Sequence, residues 1–426
     1  MQRLAFRGSQ LKSLIQDGPQ LNSSNDSKFS PAFTKLWSAS AASNVADGLL
    51  KTAAPLLATT LTQNPVWISL LAALVMLPWL FFAIPIGGLV DRINRRQMLV
   101  VANVIRLSAV LLIAVTVGFD LITLPILFFA SFLFGVGEVI YDTTIQAMIP
   151  QVLEKSQLER GNGRLEVTAV MLGEFLGAPL SGLLFAASIA LPFAFGSVGV
   201  LAAVILVMAI PRDFSIHSVE YEPKEKTGFW EDIRFGIRYL YEDKKLLKLV
   251  LLTASVGFFF AASSSTTVLF LTQTLGASYA IFGFIIAAPA VGAIIGSFLA
   301  PKFSEKYGRT DTLAVAIVLS SAFTLIQGFS PNYIVFGLLL MTGSVVITAW
   351  NILLMSTYHQ IIPSHLFGRI HGTRRTLVWG LMPIGSLVGG AIATIDLRLP
   401  FFVGGAACLI LAIAGFKFVR GLKTLL

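Results

Sequence analysis

Stretches of about twenty apolar residues recur along the whole chain, and nothing else restricts its fold as tightly. Such windows begin near Leu36, Val66, Met98, Leu121, Leu165, Ile189, Leu246, Ala280, Thr312, Asn332, Arg375 and Leu399. A helix needs about 20 mostly apolar residues to cross a hydrocarbon core of roughly 30 Å, so each window is long enough to span a bilayer. The runs are continuous and lack the alternation of a lipid-facing strand, which favours helices over a barrel. Only 12% of the residues are charged, against roughly 25% in soluble proteins. The expected fold is an all-α membrane protein of twelve transmembrane helices, and its 36 glycines suit close helix packing in lipid.

A net charge of +9 could suggest nucleic acid, but its placement reads as topology. With the N-terminus inside, 28 of the 31 Lys and Arg residues fall in the N-terminal tail, alternate loops, the central connection and the C-terminus. Arg398 lies outside, and Lys51 and Arg106 lie within spans. Cytoplasmic loops carry such an excess, so both termini are expected in the cytoplasm of a bacterial inner membrane. Residues 1–34 are polar, with no apolar core after Arg3 and Arg7, and read as a cytoplasmic tail rather than a cleavable signal. The lone Cys408 excludes an intramolecular disulfide and reads as a small packing residue.

The chain repeats itself at an offset near 213. Lys35-Leu36 and Lys248-Leu249 open the first and seventh spans, and Ile149-Pro150 and Ile362-Pro363 end the fourth and tenth. Asp91 to Arg95 matches Glu305 to Arg309, and Gly177-x4-Gly182 matches Gly385-x4-Gly390. Four matches in the same order predict two six-helix halves, 35–210 and 246–420, related by pseudo-two-fold symmetry, with a short tail at 421–426. Duplicated transporters place their site between such halves. Within the connection 211–245, apolar Phe229, Ile233, Ile237, Leu240 and Tyr241 alternate with charges at helical spacing, as in an amphipathic surface helix.

Charges inside the spans are the strongest functional signal. Asp47, Arg106, Glu138 and Glu174 lie about nine to twelve residues from the cytoplasmic ends of four spans. At ~1.5 Å per residue that places them near mid-membrane. Asn44, Asp47 and Lys51 share a helix face, as do Glu138 and Asp142. Such charges are costly unless paired or hydrated, and mark an ion or substrate path. The expected pairings are Asp47 with Lys51, and Arg106 with Glu138 or Asp142. The second half has no equivalent acid, and Asn351 stands opposite Glu138 in the repeat, so the charge chemistry is expected in the first half alone.

Two motifs carry a resemblance. The run Gly87-Gly-Leu-Val-Asp91-Arg92-Ile-Asn94-Arg95-Arg96 resembles the loop between the second and third spans of the major facilitator superfamily. Asn94 takes the place of the usual glycine, where left-handed geometry is expected. The segment Gly173 to Leu184 is similar to the family's antiporter motif, with Gly173, Gly177, Pro179 and Gly182 available for packing against the other half, though Ala178 is interposed before Pro179. Longer phrases such as GFWEDIRFGIRYL and APLSGLL look like the enterobactin-exporter and macrolide-efflux-like group.

The resemblance implies a cytoplasmic latch at Gly87, Asp91, Arg92, Arg95 and Arg96. It also implies a cavity lined by the first, fourth, seventh and tenth spans, where Asn44, Ser264, Thr267, Trp350 and Asn351 become substrate candidates. Ser131 stands where many proton-coupled members carry an arginine. The expected function is secondary active, proton-driven export of an amphipathic small molecule, drug- or macrolide-like or a siderophore; a lipid or lysolipid flippase is the alternative. Glu138 is the leading proton-coupling candidate, with Asp47, Asp142 and Glu174 behind it and Arg106 and Lys51 as charge partners. No Walker A, His-Glu-x-x-His or Gly-x-Ser-x-Gly motif occurs, so neither ATP drive nor an enzyme is expected. His217, His359, His365 and His371 read as surface residues, and no metal or cofactor is expected. The anticipated partners are substrate, proton and bilayer, with the chain as a monomer.

Overall fold

Several spans begin on a local start signal. Ser30 caps the first, its Oγ accepting from the Phe33 amide at 3.1 Å, and Pro31 follows at the first helical position, where no amide donor is needed. Asp243 caps the seventh span through the amides of Lys245 and Leu246, both at 3.0 Å, and Asn332 caps the tenth. Asn94 does not take up the left-handed turn expected of it. With φ −58° its Oδ1 accepts from the Arg96 and Gln97 amides and caps the third span. Its repeat counterpart Gly308 does sit at φ +89°, where a side chain would be strained.

The computed structural model describes residues 29–90, 93–211, 229–363 and 366–425. Among them the chain is helical. The twelve spans are Pro31–Leu61, Pro65–Val90, Arg95–Gly118, Leu124–Val152, Leu158–Ala187, Leu191–Met208, Lys244–Thr274, Tyr279–Tyr307, Arg309–Gln327, Tyr333–Ile361, Phe367–Ala393 and Leu399–Gly421. Eleven of them contain a stretch apolar and long enough to cross a membrane. The first is as long, at 31 residues, but carries Lys35, Asp47 and Lys51. It begins four residues before the expected start. Asp91, Arg92, His217, His365, residues 1–28 of the tail and residues 212–228 of the connection lie outside the described residues.

Glycines show how the halves join. Gly177 packs on Gly48 of the first span, within its own half, whereas Gly182 meets Tyr279, Ala280 and Gly283 of the eighth span, across the interface. The repeat motif behaves alike: Gly385 packs on Phe258 of the seventh span, and Gly390 on Pro65 and Ser69 of the second. Each motif therefore binds one helix of its own half and one of the other, as a pseudo-two-fold axis requires. The expectation that Gly173 and Gly177 face the other half is corrected here, since both lie against the first span. Pro179, which donates no amide hydrogen, follows a π-helical stretch from Ala169 to Gly177, a widening typical of an interrupted hydrogen-bond ladder.

Buried side chains divide unequally along the membrane normal. At the end remote from the basic loops, one cluster unites both halves, from Leu50, Phe134 and Phe193 to Phe270, Phe336 and Phe401. At the basic end there are two clusters, one around Phe33, Leu99 and Met148, the other around Leu249, Ile317 and Tyr358. The halves thus share one apolar core at one end, and each keeps its own at the other. The amphipathic segment is a helix, Phe229–Glu242. It buries Leu240 in the second half's cluster and rests Gly236 against Thr373 of the eleventh span, while Tyr241 is 69% exposed.

Candidate functional site

Two ion pairs, one helical turn apart, stand in the first half. Arg106 from the third span pairs through Nη2 with Asp47 of the first, and Lys51, four residues on, donates to Glu138 Oε1 of the fourth span at 2.5 Å. The partners are exchanged relative to the sequence expectation. Asp47 and Lys51 share a helix but point to different neighbours, and Arg106 lies too deep to reach the cavity wall. It is fully buried, with Nη1 donating to Ser43 Oγ at 2.5 Å and to Asn103 Oδ1 at 3.3 Å. The rings of Phe134 and Tyr141 flank its guanidinium at 5.0 and 4.9 Å. Gly137 makes room for it: a Cβ there would fall 2.5 Å from Arg106 Cγ and 3.0 Å from the Ala102 carbonyl oxygen.

Lys51 is different. Its side chain is 53% exposed although it stands mid-span. Asp142, one turn below Glu138, and Glu174, on the π-helical stretch, both lie close enough to interact electrostatically with Lys51. Four carboxylates therefore surround two cations, and neither Asp142 nor Glu174 forms a close ion pair among the described residues. Ser131 is buried in the fourth span.

The second half contributes a cation, Arg375, at the inner end of its eleventh span. A cavity of about 190 Å³ between the second, fourth and eleventh spans is lined by Trp79, Asp142, Gln146, Arg375 and Trp379. The Arg375 guanidinium lies over both tryptophans, 4.7 Å from the Trp79 ring and 5.0 Å from Trp379, and the two rings are 5.7 Å apart. Trp79 belongs to one half and Trp379 to the other. The expectation of charge chemistry in the first half alone is thereby corrected. The available signal was the i, i+4 spacing of Arg375 and Trp379 on one helix face.

The remaining candidates scatter. Asn351 is exposed, but Trp350 is only 3% exposed and packs inside the second half's core. Ser264 and Thr267 hydrogen-bond back to carbonyls of their own helix, at 3.4 and 2.8 Å, and Asn44 does the same to Ser40 at 2.7 Å. Arg95 and Arg96 donate to the carbonyls of Ala147 at 2.9 Å and Met208 at 2.5 Å, closing helix ends within the first half. A Cβ on Gly87 would meet open space.

Two pseudo-symmetric six-helix bundles, with charges set inside their spans, define a transporter of the major facilitator type. Solved structures agree with the fold: the nucleoside transporter NupG superposes with a TM-score of 0.75 at 12% identity, over 91% of this chain and 99% of that one. A bacterial homologue of the iron transporter ferroportin, in an inward-facing state, gives 0.72 at 16% identity, over 91% and 98%. The sequence model for transmembrane secretion effectors matches residues 27–423, and the chain belongs to that family. Among curated relatives, the MFS-type transporter YfmI of Bacillus subtilis (strain 168) is 27% identical over 46% of this chain, which spans only 49% of that relative's length. Macrolide efflux protein A of Streptococcus pyogenes is 20% identical over 89% of this chain and 94% of its own.

Proposed function

We propose that this transporter exports an amphipathic small molecule from the cytoplasm across a bacterial inner membrane, driven by protons moving inward. The observation carrying this reading is the excess of carboxylates over cations inside the spans, Asp47, Glu138, Asp142 and Glu174 against Lys51, Arg106 and Arg375, beside the cavity that Asp142 lines. Ionised groups at this depth are costly, so a carboxylate that loses its counter-ion as the helices rearrange is where a proton is taken up. The positive-inside pattern makes the basic end cytoplasmic. Likeness to a macrolide efflux protein supports export, and a monomer suffices because one chain supplies both halves. Asp91 and Arg92 would complete the latch when the cytoplasmic end closes.

In this scheme Glu138 carries the proton, with Asp142 beside it. Lys51, rather than Arg106, is its counter-ion, and rearrangement that withdraws Lys51 frees Glu138 to accept one. The test is export from vesicles under an imposed pH gradient. Glu138→Gln should abolish gradient-driven export while preserving downhill exchange, whereas Glu166→Gln, near the cytoplasmic surface, should leave both intact. Full gradient-driven export by Glu138→Gln would refute its role. Wild-type transport indifferent to the pH gradient would refute proton drive and favour lipid flipping.

A further inference from the structure

A second, larger cavity lies away from the transport path. It occupies about 750 Å³ between the eighth, ninth, tenth and twelfth spans, at the basic end of the second half. That volume is within the roughly 300–1,000 Å³ of small-ligand sites. Its wall is aliphatic and aromatic, and Phe303, Val315 and Leu319 are 46%, 45% and 45% exposed, so the groove opens outward from the helices. In a span-forming region, an outward apolar opening meets acyl chains rather than water.

The mouth of the groove is cationic. Arg420 pairs through Nε with Asp311, lies 5.7 Å from the Phe416 ring, and keeps a side chain 55% exposed. Lys306 stands 5.1 Å over the Tyr307 ring. In sequence this end of the second half carries Lys302, Lys306, Arg309, Lys417, Arg420 and Lys423 against Glu305 and Asp311. A guanidinium has five donors, so the Asp311 pair orients Arg420 while other N–H groups stay available. An apolar slot ending in oriented cations matches one kind of molecule in a bilayer.

We propose that this groove binds an anionic phospholipid, its acyl chain along Val315, Leu319 and Val345 and its phosphate on Arg420. A zwitterionic lipid can fill the slot but gains less from its rim, because basic side chains favour a net negative headgroup. The proposal is independent of the direction or driving ion of transport.

Native mass spectrometry of the purified full chain, with equal amounts of dioleoylphosphatidylglycerol and dioleoylphosphatidylcholine, tests it. Wild type should retain the anionic lipid about fivefold better, since one basic side chain near an anionic headgroup is worth about 1 kcal/mol. Arg420→Gln should erase that preference. Asp311→Asn breaks the same ion pair but spares the cation, so the preference should persist or grow. Val315→Trp, filling the slot, should lower retention of both lipids. Equal retention of the two lipids by wild type overturns the proposal, and so does equal loss of preference in Arg420→Gln and Asp311→Asn, which would make the pair purely structural. A dimeric mass without lipid would assign the groove to a second copy and overturn it as well.

Discussion

Replacing Arg106 by methionine keeps its bulk and apolar stem while removing a cation that the fold surrounds completely. Asp47 would then be left inside the span without its counter-ion. Breaking one side of a buried pair costs about 3–5 kcal/mol, most of it from the stranded charge. Asp47→Asn should cost a comparable amount, because Arg106 is fully buried and cannot turn to water. The double variant Arg106→Met/Asp47→Leu strands nothing and should recover most of the loss, as replacing both members of a buried pair by apolar groups often does. With an unfolding entropy of about 2.1 cal/mol/K per residue, 1 kcal/mol corresponds to roughly 1 °C in Tm for a chain this long. Each single variant should therefore melt about 3–5 °C lower in detergent, and the double variant within about 2 °C of wild type. Intrinsic tryptophan fluorescence during heating reads this out. A double variant that melts lower by the sum of the two singles would mean the side chains do not interact, and the assigned pairing would be wrong.

Two further outcomes follow from the packing and the topology. Gly283→Ala puts a methyl group onto the Ala178 carbonyl and 3.1 Å from Gly182 Cα, wedging the fifth and eighth spans apart at a cost of about 1–3 kcal/mol; spin labels on the two helices should report a longer or broader distance, and an unchanged distance would remove that contact from the interface. In a Cys408→Ala background, single cysteines at Asn64, Ser278 and Asn332 should react with an impermeant thiol reagent from outside; Ser278 is chosen over Gly276, whose φ of +66° suits only glycine, and labelling at Lys302 instead would invert the topology.

The spans were legible because lipid leaves the backbone few choices, so length and hydropathy alone locate them. The repeat was legible for a related reason: Gly182 and Gly390 serve the same contact in opposite halves, and glycine tolerates no substitute where backbones touch. Pairing was not legible. Asp47 and Lys51 share a face at i, i+4 spacing, which reads as a local pair, but the actual partners come from the third and fourth spans and depend on helix rotation. Trp350 looked like a cavity residue by adjacency to Asn351, yet neighbouring helix positions point about 100° apart. Arg375 was hidden by its location, since a basic residue at the inner end of a span reads as topology until its aromatic partners from two halves are seen.

The uneven distribution of charge inside the spans gives the two bundles different electrical characters. Asp47, Glu138, Asp142 and Glu174 against Lys51 and Arg106 leave the first bundle two negative charges in excess at mid-membrane, four minus two. The second presents a positive charge, Arg375, at the contact between the second and eleventh spans. A voltage acts on displaced charge with about 2.3 kcal/mol per elementary charge per 100 mV. With the inside negative, the field pushes the first bundle's surplus outward and draws Arg375 inward, so it shears the two bundles in opposite senses. Neutralising one carboxylate halves the outward push. A fold that is nearly symmetric in shape is therefore polarised in its response to voltage, and the membrane potential favours one tilt of the bundles over the other before any substrate has bound.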